Sequence, residues 1–257
     1  SLLYLGAGVG VGLLYVFRRR GEEPAARLSR ADLPAAVGMI VLDILAPVFL
    51  MLGLRTASAA NASLLGNFEI AATALFALAF FGERISAKLW AALALITASS
   101  AVLSFEGAES FRFSAGSLLV LLAACCWGLE NNCTRRISGK STYQIVTLKG
   151  LCCGAGSFAL ALAAGETLPE ARYVLPAMLL GFVAYGMSIF VYIRAQRELG
   201  AARTSAYYAL APFIGTFLSF LLYGEPLSAP YFLGLLLMLA GTAFTVLDTL
   251  SDARKEN

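Results

Sequence analysis

The sequence holds no histidine, which removes the side chain that most often serves as general base, proton relay or zinc ligand near neutral pH. Charge is scarce as well: only 14% of the 257 residues are Asp, Glu, Lys or Arg. A soluble domain covers its surface with such groups, so a chain that is 59% hydrophobic by type does not have water as its solvent. Also missing are an HExxH pair, a phosphate-cradling Walker loop and a pair of cysteines in polar surroundings. No enzyme, metal, cofactor or nucleic-acid partner is therefore expected. The five cysteines, Cys125, Cys126, Cys133, Cys152 and Cys153, have no metal-ligand spacing and read as small packing residues.

What the chain has in quantity is long apolar sequence. A bilayer core of about 30 Å takes roughly 20 apolar residues per helix. Nine such runs follow one another, at Leu2 to Phe17, Leu33 to Leu54, Ala57 to Phe81, Ala87 to Phe105, Ala115 to Cys133, Tyr143 to Ala164, Val174 to Ile193, Thr204 to Tyr223 and Tyr231 to Leu247. Barrel strands are about ten residues long and alternate apolar with polar, whereas these runs are continuous and longer. The expected fold class is all-α, a polytopic membrane protein with the lipid bilayer as its surroundings.

Basic residues fix an orientation. With the loop after the first run in the cytoplasm, alternation puts fifteen of the nineteen Lys and Arg on that side. The opposite side receives only Arg55, Arg112 and Arg172, and Lys149 falls inside a run. Such a bias predicts a cytoplasmic C-terminus, the tail being residues 249–257.

A shift of 142 residues brings Leu33-Pro34-Ala35 onto Leu175-Pro176-Ala177, Arg55 onto Arg197, Ser63 onto Ser205, and Gly82-Glu83 onto Gly224-Glu225. A shift of 144 brings Gly6, Gly10 and Gly12 onto Gly150, Gly154 and Gly156, each set containing a GxxxG spacing that marks close helix contact. The run from Ala115 has no partner, and its counterpart is expected before Ser1. Two sets of five helices result, and five being odd, the halves are inverted. The Gly-Glu loops agree, because the first carries Arg84 and Lys88 where the second has Pro226 and Pro230. Inverted repeats suit a carrier, since two similar bundles can exchange conformations and expose a site to each side in turn. Residues 1–105 are expected to form the first repeat (helices 2–5) and residues 115–248 the second (helices 6–10).

Several segments carry a family likeness: Arg55-Thr-Ala-Ser-Ala-Ala-Asn-Ala-Ser63, Phe81-Gly-Glu-Arg-Ile-Ser86, Cys126-Trp-Gly-Leu-Glu-Asn-Asn132, Leu199 to Tyr208, Ala211-Pro-Phe213 and Gly224-Glu-Pro226. With them the chain resembles the EamA family of the drug/metabolite transporter superfamily over nearly its whole length. The resemblance implies a ten-helix inverted-repeat carrier of the bacterial inner membrane, often an exporter of amino acids or related amphiphilic metabolites. An uncoupled channel and a non-transporting sensor or partner protein are the rival readings.

Ionisable groups at membrane depth are costly and need a partner, water or a task. Asp43 and Glu69 lie near the midplane by the rise of about 1.5 Å per residue. Asn67 and Ser63 supply polar neighbours to Glu69. Glu130 and Lys149 sit at similar depth on consecutive runs and are expected to meet, as a lock or as a grip on a zwitterion. Glu69 has Ala211 as its repeat counterpart, next to Pro212, so the halves differ where a central site is expected. Trp127, Glu130 and Asn131 fall on one helical face by their spacing. Tyr185 and Tyr208 offer flat walls and hydroxyls to a small-molecule substrate. Proton coupling, where present, is expected to run through Glu69 or Asp43. Glu83 and Glu225 are expected to serve loop structure at helix ends.

Overall fold

The structure is a computed structural model that describes residues 1–17, 26–57, 59–103, 114–167, 169–223 and 229–256. Among these residues there is helix and no strand. The helices are α1 (Leu2–Phe17), α2 (Leu33–Gly53), α3 (Ala59–Gly66), α4 (Phe68–Phe80), α5 (Ala87–Leu103), α6 (Ala115–Ile137), α7 (Thr142–Ala163), α8 (Ala171–Leu180), α9 (Met187–Leu199), α10 (Ala201–Tyr208), α11 (Ala211–Tyr223) and α12 (Ala229–Glu256). Among the described residues, five helical stretches are long and apolar enough to cross a membrane: Arg30–Gly53, Thr142–Ala163, Ala171–Leu199, Ala201–Tyr223 and Ala229–Ser251. Shorter apolar helices run Leu2–Phe17, Phe68–Phe80 and Ala87–Val102.

Over its described residues each of the apolar runs is helical, but two are broken where the sequence predicts continuity. The third run splits into α3 and α4 at Asn67, and the eighth into α10 and α11 at Ala209 and Leu210. The breaks are repeat-related, because a shift of 142 carries Ala59–Gly66 onto Ala201–Tyr208. Their local causes differ. At the first, the Asn67 side-chain amide donates to the Ser63 carbonyl at 3.0 Å, the backbone competition that makes Asn a poor interior helix residue. At the second, Pro212 lacks the N–H that would serve the carbonyl four residues earlier, and it sits in the first turn of α11, where proline is tolerated. The seventh run is interrupted differently, by a π-helical turn over Gly181–Gly186 between α8 and α9. Such turns widen the backbone ring and concentrate at functional positions.

The chain folds as two compact units, one of Ser1–Leu45 with Cys133–Glu198 and one of Ala46–Asn132 with Leu199–Asn257. Each unit draws on both sequence halves. In the first, α1 packs on α7, on α8 and on the π turn. The contact with α7 leaves no room for a side chain: a Cβ on Gly150 would fall 2.3 Å from the Gly8 nitrogen. Gly6 and Gly10 face elsewhere, onto Met178 and the Phe182 ring. Two different glycine stripes on α1 thus serve two neighbours, and Gly8 stands outside the repeated set of Gly6, Gly10 and Gly12. Val11, Ala36, Met39, Ile137, Ile145, Val146, Phe190 and Ile193 form this unit's buried core.

In the second unit α12 lies along α5, and α10 packs on α4, α5 and α12. Its core gathers Ile70 and Ala74 of α4, Leu89, Ala92, Leu93 and Ile96 of α5, Ala202, Ala206 and Ala209 of α10 and the break after it, Phe213 of α11, and Tyr231 and Met238 of α12. A ring of polar contacts closes one end. The Arg203 guanidinium donates to Asp248 at 2.8 Å, Ser86 donates its hydroxyl to the same carboxylate, and the Glu83 carboxylate accepts the backbone N–H of Ala201 at 2.9 Å. Glu83 therefore caps α10, whose amides are otherwise orphans. Its repeat partner Glu225 lies outside the described residues.

Candidate functional site

Two polar clusters are built at membrane depth, one in each unit. In the second unit the Asn131 amide of α6 donates to Glu69 Oε1 at 2.9 Å and reaches Thr73 Oγ1 at 3.2 Å. Thr73 returns its hydroxyl to the Glu69 carbonyl at 2.8 Å. The neighbouring Asn132 amide donates to the Thr73 carbonyl and to the Gly128 carbonyl, both at 2.9 Å, while its Oδ1 is buried without a hydrogen-bond partner. α4 comes this near α6 because Gly128 faces Ala72 and Thr73, with no room for a side chain. Glu69 stands in the first turn of α4, where the partial positive end of a helix favours a carboxylate.

The second break lies beside the first. Ile70 follows Glu69, Phe213 follows Pro212, and both belong to one buried cluster with Ala209. Both interruptions thus flank the same core, one bearing a carboxylate and the other a proline. Tyr208 ends α10 and is exposed; Pro212 is exposed as well. On α6, Glu130 and Asn131 are buried and Trp127 is half-buried.

In the first unit Lys149 of α7 forms an ion pair with Asp43 of α2 at 3.4 Å. Asp43 is a partner that the sequence does not single out for Lys149. Tyr4 of α1 stands within hydrogen-bond reach of Asp43, and its ring meets the Tyr185 ring edge-on at 5.4 Å. Tyr185 belongs to the π turn. Four helical elements therefore contribute to this cluster, and the close approach of Gly8 to Gly150 sets Lys149 beside α1.

Thr73, Asn132 and Tyr4 are site residues that the sequence does not single out. Threonine and tyrosine in apolar runs carry no depth signal of their own, and only the helix pairing shows what they touch.

Comparison with known proteins adds the assignment. The profile of the EamA-like transporter family matches residues 2–105 and again 114–247. The chain belongs to the EamA-like transporter family. A curated relative from Methanothermobacter thermautotrophicus, named an uncharacterized transporter, is 28% identical over 242 residues, covering 89% of this chain and 68% of its own. Another, the uncharacterized transporter YyaM of Bacillus subtilis, is 25% identical over 222 residues, covering 80% of this chain and 72% of its own. A solved crystal structure superposes with a TM-score of 0.74 at 21% identity, covering 97% of this chain and 88% of that one. This EamA-like chain is a multi-pass membrane protein of the transporter class.

Proposed function

We propose that this EamA-like protein exports small amino acid-like or amphiphilic metabolites by alternating access, in the inner membrane with its C-terminus cytoplasmic. The observation carrying this reading is the pair of repeat-related helix breaks at Asn67 and Ala209, which flank one core and place a held carboxylate, Glu69, at one of them. Interrupted helices free backbone groups for a polar ligand where intact helices offer none to the membrane interior. Glu69 and Asn131 are the groups assigned to a substrate ammonium and its neighbouring polar atoms, and Trp127 and Tyr208 supply apolar walls. The orientation rests on the bias of basic residues toward one set of loops.

The test is counterflow. Purified protein in proteoliposomes loaded with an unlabelled amino acid mixture should accumulate labelled members of that mixture transiently and saturably, and Glu69→Gln should abolish it. Uptake that never overshoots equilibrium would identify an uncoupled channel. Uptake that ignores a pH gradient and survives Glu69→Gln would remove this carboxylate from both binding and coupling.

A further inference from the structure

The π-helical turn over Gly181–Gly186 has no inserted residue to account for it. A π turn closes its ring one residue later than an α turn and so takes up one residue more; here the Met187 N–H donates to the Phe182 carbonyl, five residues back. Yet Pro34 and Arg55 are as far apart in sequence as their repeat partners Pro176 and Arg197, and the equivalent residues 39–44 are unbroken α-helix within α2. The same length of chain therefore runs once as α-helix and once with a π turn. The two helices also end differently. Arg55 is exposed, whereas the Arg197 guanidinium donates to the Ser138 and Lys140 carbonyls, both at 2.7 Å, and reaches Thr142 Oγ1 at 3.3 Å. These charge-assisted bonds fasten the end of α9 to the loop between α6 and α7. The turn itself is seated on α1: a Cβ on Gly181 would strike the Leu3 carbonyl, one on Gly186 would fall 3.1 Å from Ala7 Cα, and Tyr185 meets the Tyr4 ring edge-on at 5.4 Å. Beyond the turn α9 has no glycine and is held through side chains, Phe190 and Ile193 in the core and Arg197 at its end.

We propose that this turn is a register switch: in its π form it keeps α9 in the phase at which Arg197 clamps the α6–α7 loop, and in an α form it releases that clamp. Withdrawing the spare residue from the turn rotates α9 by about 100° and advances it by about 1.5 Å, which carries the guanidinium off the two carbonyls. The turn lies between Arg197 and Tyr185, whose ring packs on the Tyr4 that reaches Asp43, so a change of register couples the polar cluster of this unit to the clamp. The halves of an inverted repeat exchange conformations as a carrier cycles, and α2 shows the α form of this element already folded in the same chain. This rests on the transport reading, to which it adds a moving part.

The experiment places spin labels at Gly139→Cys, in the loop, and Glu198→Cys, near the end of α9, both exposed positions, in the full chain with its five native cysteines replaced by alanine. Electron paramagnetic resonance reads the separation of the labels. The parent protein should show one main separation. Arg197→Gln weakens the clamp and should add a second, displaced by roughly 8 Å, the travel of a side chain turned by about 100° on a helix about 10–12 Å across. Deleting Ala184 in the Arg197→Gln protein should abolish the second separation, because a turn without its spare residue closes as α-helix with α9 left in phase. Deleting Val183 instead is read the same way if the first deletion variant does not fold. A single separation in Arg197→Gln overturns the proposal, as does a second separation that survives the deletion. In proteoliposomes, deletion of Ala184 alone should abolish amino acid counterflow. Counterflow at the parental rate in that variant removes the switch and leaves the transport reading standing, whereas separations that change as expected in a protein without counterflow support the switch and remove the transport reading.

Discussion

Gly150→Ala sets two opposed effects against each other, and the structure decides between them. Alanine in place of an interior helical glycine favours the helix by about 1 kcal/mol. The added methyl, however, falls 2.3 Å from the Gly8 nitrogen, 2.5 Å from Gly8 Cα and 2.8 Å from the Tyr4 carbonyl oxygen. Carbon atoms in contact sit at about 3.5–4.0 Å, so α1 and α7 must part by roughly an ångström along a contact that Gly154 and Leu5 continue. None of these neighbours is a side chain that rotates away. The cost therefore belongs at the upper end of the about 1–3 kcal/mol typical of overpacking, and the net expectation is a loss of about 2 kcal/mol. Gly215 of α11 is the matched control, because a Cβ there meets nothing among the described residues within 4 Å, and Gly215→Ala should be neutral or stabilising by up to about 1 kcal/mol. Both are measured as thermal or denaturant unfolding of purified protein in one detergent. Equal stability of the two variants would refute the helix contact as described, and with it the placement of Lys149 against α1.

Three further outcomes are expected. Glu83→Ala removes the carboxylate that accepts Ala201 N–H at 2.9 Å and Ala202 N–H at 3.4 Å, so it should destabilise by about 1 kcal/mol, the usual worth of an N-cap, with Glu83→Gln losing less; hydrogen exchange confined to α10 is the readout. Asp248→Leu removes the carboxylate to which the Arg203 guanidinium donates at 2.8 Å. It should cost about 3–5 kcal/mol, as broken buried pairs do, and a double variant with Arg203→Met should recover most of that in an unfolding assay. Asn131→Leu removes the donor to Glu69 Oε1 and Thr73 Oγ1, so counterflow should fall at least as far as in Glu69→Gln, while stability drops by about 1–3 kcal/mol for the acceptors left unpaired. Counterflow unchanged in Asn131→Leu would show that Glu69 needs no positioning.

The fold is largely legible in the sequence because length, continuity and charge bias act on every residue of a membrane helix. Most apolar runs and their helices coincide within a few residues, although α9 runs on to Leu199 and α12 to Glu256, and the repeat shows in Leu33-Pro34, Arg55 and Gly82-Glu83 by their spacing alone. What the runs hide are their interruptions. Hydropathy averages over a window, and Asn67 or Ala209 hardly changes that average, although one polar side chain and one missing N–H suffice to stop a helix there. Glycine spacing misleads in a similar way. Two GxxxG pairs overlap on α1, Gly6 with Gly10 and Gly8 with Gly12, and the spacing does not say that the first faces Met178 and Phe182 while the second faces α7.

The choice of partner for Lys149 shows why the site is harder to read than the fold. Matching depths along consecutive runs favours Glu130, since sequential elements are usually neighbours. Asp43 lies about 15 Å into its span and Lys149 about 10 Å into its own at about 1.5 Å per residue, a mismatch that argues against them only if side chains have no length. A lysine carries its charge at the end of a four-carbon stem that extends along the helix, and the difference of about 5 Å lies within its reach. Depth therefore constrains a buried carboxylate more tightly than a buried ammonium. The glycine contact that brings α1 and α7 together sets Lys149 beside α1, and a glycine's partner cannot be read from its own sequence.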